Sequence, residues 1–249
     1  MKYIDIHAHL DFEIFKSNKN KLVRDLIESN ILVYSNTLNL NNYLETKKFY
    51  NDVKNIKVIP GLYPTDAEKI ESKDLNKFLN FLKKGDYDLI GEVGLDKNEG
   101  RNIEKQIEIL KKIIEIAIEK DKGVILHTRK AEKEVLEILS YYVKEKRFKK
   151  FCLHCFTGKK RYYETIKNLK IYCSIPLSVL KSHQFQELTK FLPINQILVE
   201  TDSPFLNPFG ESNSPVNIPL IYNKIAELKG YDKNEIKNII FRNYLNFIN

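Results

Sequence analysis

The 249-residue sequence predicts an α/β fold: a TIM-type (β/α)8 barrel forming one domain over residues 1–249, with a helix at its C-terminal end. Short β-branched apolar runs alternate with longer amphipathic stretches, the pattern of parallel strands joined by helical crossovers. Eight such runs in a chain of 249 residues fit a closed barrel better than an open doubly wound sheet. No Gly-x-Gly-x-x-Gly follows the first run, and no Gly-, Ser- or Pro-rich linker divides the chain.

In chain order, the strands are predicted over 3–6, 31–35, 57–61, 89–92, 124–127, 151–154, 171–174 and 197–200, each a short stretch rich in Ile, Val, Leu, Tyr or Phe. Between the fourth and fifth lies a helix over 103–119, where Ile103, Ile107, Leu110, Ile113, Ile114 and Ala117 form one apolar stripe and Lys and Glu take the other faces. Residues 131–143 and 215–228 read the same way, and 233–246 gives the closing helix. The segments share no self-similar motif, so their spacing is a fold period and not a sequence repeat.

Composition narrows the function classes. Lys and Arg number 41 against 33 Asp and Glu, a net charge of +8 that is spread along the chain and reads first as a solvated surface. Nucleic acid is compatible with this charge but not required by it. The apolar stretches are short and broken by charge, and Met1-Lys2 leads straight into a strand, which predicts a soluble cytoplasmic protein with no membrane segment. Cys152, Cys155 and Cys173 are too few for a disulfide framework and read as free thiols. Cys152-x-x-Cys155 has zinc-knuckle spacing, but there is no second pair to complete such a site.

The ends of the predicted strands carry an unusual chemical set. His7 and His9 end the first, Glu92 the fourth, His127 the fifth and His154 the sixth, while Asp202 follows the eighth. Alternate residues of a strand share a face, so His7 and His9 point inward together. Strand C-termini form the active face of such barrels. Imidazoles and carboxylates suit divalent ions, and four His with two acids exceed what one tetrahedral site needs, so two divalent metal ions (Mg, Mn or Zn) are expected, with Glu92 placed to bridge them. Asp202 is then the group to orient water or take its proton. Asp5, two residues before His7, is expected either as a hydrogen-bond acceptor for a ligand or as a buried structural Asp. His183 lies outside any strand end and reads as a surface helix residue.

With these residues assembled, the chain resembles the TatD family of metal-dependent deoxyribonucleases among the amidohydrolase-type barrels. The matching motifs are DIHAHLD from Asp5, GEVGLD from Gly91, HTRKA from His127, HCFTG from His154 and ETDSPFL from Glu200. The resemblance implies that His7, His9, Glu92 and Asp202 hold one ion and Glu92, His127 and His154 the other. It also implies phosphodiester hydrolysis, often from an end, on DNA or short oligonucleotides, with no membrane and no obligate protein partner. Two departures stand out. Gly61-Leu62-Tyr63-Pro64-Thr65 occurs where the family usually has Gly-x-His-Pro-His, and Ser212-Asn213-Ser214-Pro215 where it often has Arg-Asn-Glu-Pro.

Phosphate recognition is therefore assigned to Arg129, whose planar fork suits a phosphate, and to Tyr63 at the rim; an ion pair with a loop acid is the other role open to Arg129. Tyr63, Phe156 and Phe205 are rim aromatics expected either to stack on a base or to pack the loops. Two other functions are compatible with the same scaffold: hydrolysis of small amides, lactones or phosphoesters, and a non-catalytic nucleic-acid-binding barrel.

Overall fold

A computed structural model describes residues 1–210 and 212–249 of the chain. Eight parallel strands are present: β1 (Tyr3–Ala8), β2 (Ile31–Asn36), β3 (Ile56–Ile59), β4 (Leu89–Asp96), β5 (Gly123–Arg129), β6 (Phe151–Leu153), β7 (Tyr172–Ile175) and β8 (Ile197–Val199). They form two hydrogen-bonded ladders, β1-β2-β3 and β4-β5-β6-β7-β8. Individual bonds at the strand ends join the ladders into the barrel. Gly91 donates its N–H to the Pro60 carbonyl at 2.9 Å and Leu62 to Glu92 at 3.0 Å across β3 and β4. On the other side, Asp202 donates to His7 at 2.9 Å and His9 to Ser203 at 2.7 Å. The residues that close the barrel are thus the residues of the predicted centre or their neighbours.

The strands coincide with the expected runs, but β1, β4 and β5 continue past the predicted ends. Polar inward-facing side chains end the apolar run without ending the ladder. The helices Ile103–Glu119, Glu132–Glu145, Ile218–Lys229 and Lys233–Ile248 occupy the predicted stretches, and residues 215–217 form a single 3-10 turn. Further helices at Lys19–Glu28, Leu40–Phe49, Ser72–Lys84, Tyr163–Leu169 and His183–Phe191 fill other crossovers.

Packing separates two faces of the sheet. Ile4, Ile6, Leu32, Tyr34, Ile59, Leu89, Ile125, Cys152 and Leu198 form an inner cluster with Tyr244 and Phe247 of the last helix, which plugs the barrel at the end away from the strand C-termini. Tyr34 and Tyr244 hydroxyls meet there at 2.9 Å. Ile31, Val33, Ile90, Val93, Val124, Leu126, Cys173 and Val199 face outward onto the helices. Burial of these two layers supplies the main driving force for the fold. None of the described helices is long and apolar enough to cross a membrane, and all three cysteines are free.

Candidate metal centre

Two strands change phase where they reach the centre. On β1, Asp5 pairs with Val33 but Ala8 pairs with Ser35, so Ile6 and His7 together oppose Tyr34. On β4, Ile90 pairs with Val124 but Val93 pairs with Leu126, so Gly91 and Glu92 together oppose Ile125. Each is a bulge, the device by which a strand re-aims a side chain. Ile4 and Ile6 belong to the inner cluster, and strict alternation would therefore send His7 and His9 outward; the extra residue turns them in. On β4 the bulge does the same for Glu92. Glycines make the geometry affordable: a Cβ on Gly91 would lie 2.7 Å from the Ile125 Cβ, and one on Gly61 would lie 2.1 Å from the Thr37 carbonyl and 2.4 Å from the Glu92 nitrogen.

The six predicted ligands come together, all nine-tenths or more buried. In a first nest, His7 Nε2 and His9 Nε2 face each other at 3.1 Å. Asp202 Oδ1 lies 3.4 and 3.5 Å from these two nitrogens, and Glu92 Oε2 lies 3.7 Å from each. In a second nest, Glu92 Oε1 lies 2.6 Å from His127 Nδ1 and 2.9 Å from His154 Nε2, and those nitrogens are 3.4 Å apart. Ligands about 2.0 to 2.2 Å from an ion at tetrahedral angles stand about 3.3 to 3.6 Å from one another. The first nest, at 3.1 to 3.7 Å, is close to this spacing, the second is drawn tighter, at 2.6 to 3.4 Å, and Glu92 contributes one oxygen to each. Two acceptor nitrogens aimed at each other and at ionised carboxylates are a poor hydrogen-bond set but a good cation site, so the donor chemistry fits divalent metal.

The carboxylates and imidazoles set one another's charge, the acids raising His9, His127 and His154 and holding themselves ionised. Burial alone would raise the Glu92 carboxyl, but His154 and His127 outweigh it and hold the group well below the usual carboxylate range. Burial likewise opposes ionisation of Asp202, and its contacts with His7 and His9 reverse the balance and lower it. His7 is pushed down by burial and by neighbouring His154, which keeps its imidazole neutral and ligand-competent. His7 also stacks on His154, with ring centroids 4.0 Å apart and planes 11° from parallel, and it meets His9 edge-on at 4.8 Å. Packing, not a bond at its Nδ1, orients the His7 ring, since that buried atom has no hydrogen-bond partner among the described residues.

Two residues to which the sequence reading gave no role support the ligands. Asp96, fully buried at the end of β4, takes His127 Nε2 on Oδ2 at 2.9 Å while its Oδ1 accepts the Asn98 and Glu99 N–H groups at 2.7 and 2.8 Å. Held on both oxygens, Asp96 fixes the His127 tautomer that leaves the Nδ1 lone pair facing Glu92. Glu200 accepts from Ser174 at 2.6 Å and from the Cys155 N–H at 2.7 Å, and stands 3.8 Å from His154 Nδ1. Asp96 is four residues from Glu92 on one strand, hence on the same face, but lies beyond the predicted end of that strand. Replacing Asp96 with Asn is expected to weaken divalent-ion binding at the second nest by about 10- to 100-fold. Calorimetric titration of the stripped protein checks this, and unchanged affinity would show the contact to be incidental.

The remaining predicted residues fall as follows. Asp5 accepts Thr201 N–H and hydroxyl at 2.9 and 2.6 Å, and so ties β1 to the segment after β8 as a buried structural Asp instead of touching an imidazole ring. Tyr63 sits beside the second nest, its ring 5.0 Å from that of His127 and its hydroxyl 3.4 Å from Asp96 Oδ2. Arg129 lies at the rim, half-exposed, paired with Glu99 at 2.8 Å. Phe156 is fully buried against Tyr163, which leaves only its packing role. Phe205 is 46% exposed beside His9. His183 starts a surface helix, its side chain 85% exposed.

Comparison with known proteins relates the whole chain to others. A family model described as TatD related DNase matches residues 4–249. An uncharacterized metal-dependent hydrolase of Methanocaldococcus jannaschii is 29% identical over 99% of this chain and 97% of its own. The human deoxyribonuclease TATDN3 is 28% identical over 97% of this chain and 93% of its own. Among solved structures, the Escherichia coli TatD homologue YjjV superposes with a TM-score of 0.87 at 21% identity, over 99% of this chain and 97% of that one.

Proposed function

Because the chain belongs to the TatD-related family of metal-dependent hydrolases, matched from residue 4 to residue 249, we propose that it hydrolyses nucleic-acid phosphodiesters, acting on DNA or short oligonucleotides from an end. The observation that carries the reading is the double engagement of Glu92, with one oxygen in each of two nests. His7, His9, Glu92 and Asp202 would hold one divalent ion, and Glu92, His127 and His154 the other. Two such ions supply Lewis acidity and acidify bound water, the task common to two-metal phosphodiesterases. Mg, Mn and Zn are all compatible with the oxygen and nitrogen donors.

The chain's own residues do the rest. Asp202, ionised and at the edge of the first nest, takes the proton of the attacking water. Glu92 is held charged by two imidazoles and fixes both nests relative to each other. At the rim, Arg129 offers its planar donors to a phosphate oxygen once it exchanges Glu99 for substrate, a modest demand because that ion pair is exposed. Tyr63 presents a hydroxyl beside the second nest, where it orients the same phosphate group.

The test is metal-stripped protein given Mg, Mn or Zn and offered end-labelled single- and double-stranded DNA beside a panel of esters, lactones and amides. Ion-dependent progressive shortening of the DNA is expected. Intact DNA alongside ion-dependent turnover of a small substrate would overturn the nuclease reading.

A further inference from the structure

Asn36, the last residue of β2, is a polar side chain in an apolar layer. Its strand carries no extra residue, so alternation places it on the inner face with Leu32 and Tyr34 of the inner cluster. The residue is fully buried. Its Nδ2 donates to the Ile6 and Tyr34 carbonyls, each at 3.2 Å. Because both partners are acceptors, the amide can face them only with its nitrogen. Its Oδ1 is buried without a hydrogen-bond partner among the described residues and lies against Gly91, where a Cβ would stand 2.9 Å from it.

Packing alone does not ask for an amide at this position. An apolar side chain of the same size would fill the layer without burying an unpaired oxygen. What Asn36 supplies is a directed link between the two bulges: Ile6 shares the β1 bulge with His7, and Gly91 shares the β4 bulge with Glu92. Ser35 adds a second hold, its Oγ accepting the Leu10 N–H at 3.2 Å, so β2 grips β1 just before His7 and just after His9. The two nests also differ in what positions them. Glu92, His127 and His154 stand on or directly after β4, β5 and β6, neighbours in one ladder. The first nest instead takes His7 and His9 from one ladder and Glu92 and Asp202 from the other, and the ladders meet through individual bonds at the strand ends.

We infer that Asn36 is the positioning residue of the first nest: it sets His7 and His9 against Glu92 across the gap between the ladders, while the second nest is independent of it. The inference rests on the two-ion reading of the centre and adds a residue that touches no ligand side chain. A buried group that fixes the backbone beneath metal ligands acts on ion affinity through their geometry, without donating an electron pair itself.

Two variants of the full chain test this. Asn36→Leu keeps the volume and removes the donor, and Asn36→Ser is a gentler change that keeps a hydroxyl on a shorter side chain. Calorimetric titration of stripped protein with Zn gives the affinities, and nitrogen-15 spectra of the imidazoles along the titration assign each step to a nest. Both variants should weaken the first-nest step by about 10- to 100-fold and leave the second unchanged. In the ion-free protein the His7 and His9 signals should move while that of His127 stays. Asn243→Leu is the control: Asn243 is equally buried and donates to the Ile194 and Ile197 carbonyls at 2.8 Å each, but it ties the last helix to the start of β8, away from the centre. It should cost thermal stability without changing either affinity. Unchanged first-nest affinity in a folded Asn36 variant, equal weakening of both nests, the same weakening in Asn243→Leu, or loss of the folded state in both Asn36 variants would overturn the positioning role. If the parent binds fewer than two ions, the two-ion reading fails and the ion-free spectra decide alone. His7 and His9 signals that move while His127 stays would then support the positioning role, and unmoved signals would overturn it too.

Discussion

On the proposed two-ion reading, Glu92→Gln should lower the divalent-ion content from two per chain to at most one and reduce turnover by about 10³- to 10⁴-fold. The substitution keeps the volume of a side chain that is 3% exposed and removes only its charge and one acceptor, so the barrel remains folded around it. Its loss reaches both nests because Oε2 faces His7 and His9 at 3.7 Å while Oε1 faces His127 and His154 at 2.6 and 2.9 Å. An amide turns an N–H donor toward at least one of these nitrogens, which either competes for the lone pair an ion would use or leaves it without a ligand. Elemental analysis of dialysed protein gives the ion count, and single-turnover kinetics at saturating metal give the rate. A Gln variant that keeps both ions and its rate would remove Glu92 from the bridging role.

The same variant has a signature in the metal-free chain. Glu92 is held below its ordinary value of 4.5, so its contribution to stability is present above that value and is lost as pH falls through the lowered one. For His154, burial opposes the charged form, but Glu92 and Glu200 hold the group well above 6.5. Its contribution is therefore complete below 6.5 and fades as pH rises through the raised value. Stripped protein should be most stable between these limits, and Glu92→Gln should flatten both flanks of the curve, because it removes one charge and a principal partner of the other.

Much of this centre was legible before any coordinates. Strand ends could be found because apolar runs stop where inward polar residues begin, and the chemistry of His7, His9, Glu92, His127, His154 and Asp202 is visible in the residue types alone. What sequence could not supply was phase. A strand read by strict alternation puts Asp5 on the His7 face, yet the bulge between Asp5 and Ala8 separates them and leaves Asp5 to hold Thr201. Ending the fourth strand at Glu92 also hid Asp96, because the ladder runs on for a further turn of the pleat while the apolar pattern has stopped. Burial of aromatic loop residues was equally out of reach: Phe156 and Phe205 both follow strand ends, and only tertiary packing decides that one is in the core and the other at the mouth.

Asp202 separates ion binding from proton transfer if two substitutions are compared. Asp202 has φ of 56°, a left-handed conformation that Asn tolerates and Ala adopts at a cost of about 1 kcal/mol. Asp202→Ala should therefore lose some thermal stability, some affinity at the first nest and nearly all turnover. Asn keeps the backbone conformation and an oxygen that can reach the position now 3.4 Å from His7 Nε2 and 3.5 Å from His9 Nε2, so it should recover stability and much of the ion affinity. It cannot accept a proton at neutral pH. At saturating metal Asp202→Asn is thus expected to bind DNA with near-parental KM while kcat falls by about 10²- to 10⁴-fold. A loss confined to ion affinity, with kcat restored by excess metal, would make Asp202 a ligand only and require another acceptor for the water proton. The buried carboxylates Asp96 and Glu200 are committed on both oxygens to backbone, hydroxyl or imidazole donors, whereas Asp202 meets the imidazoles through Oδ1 alone.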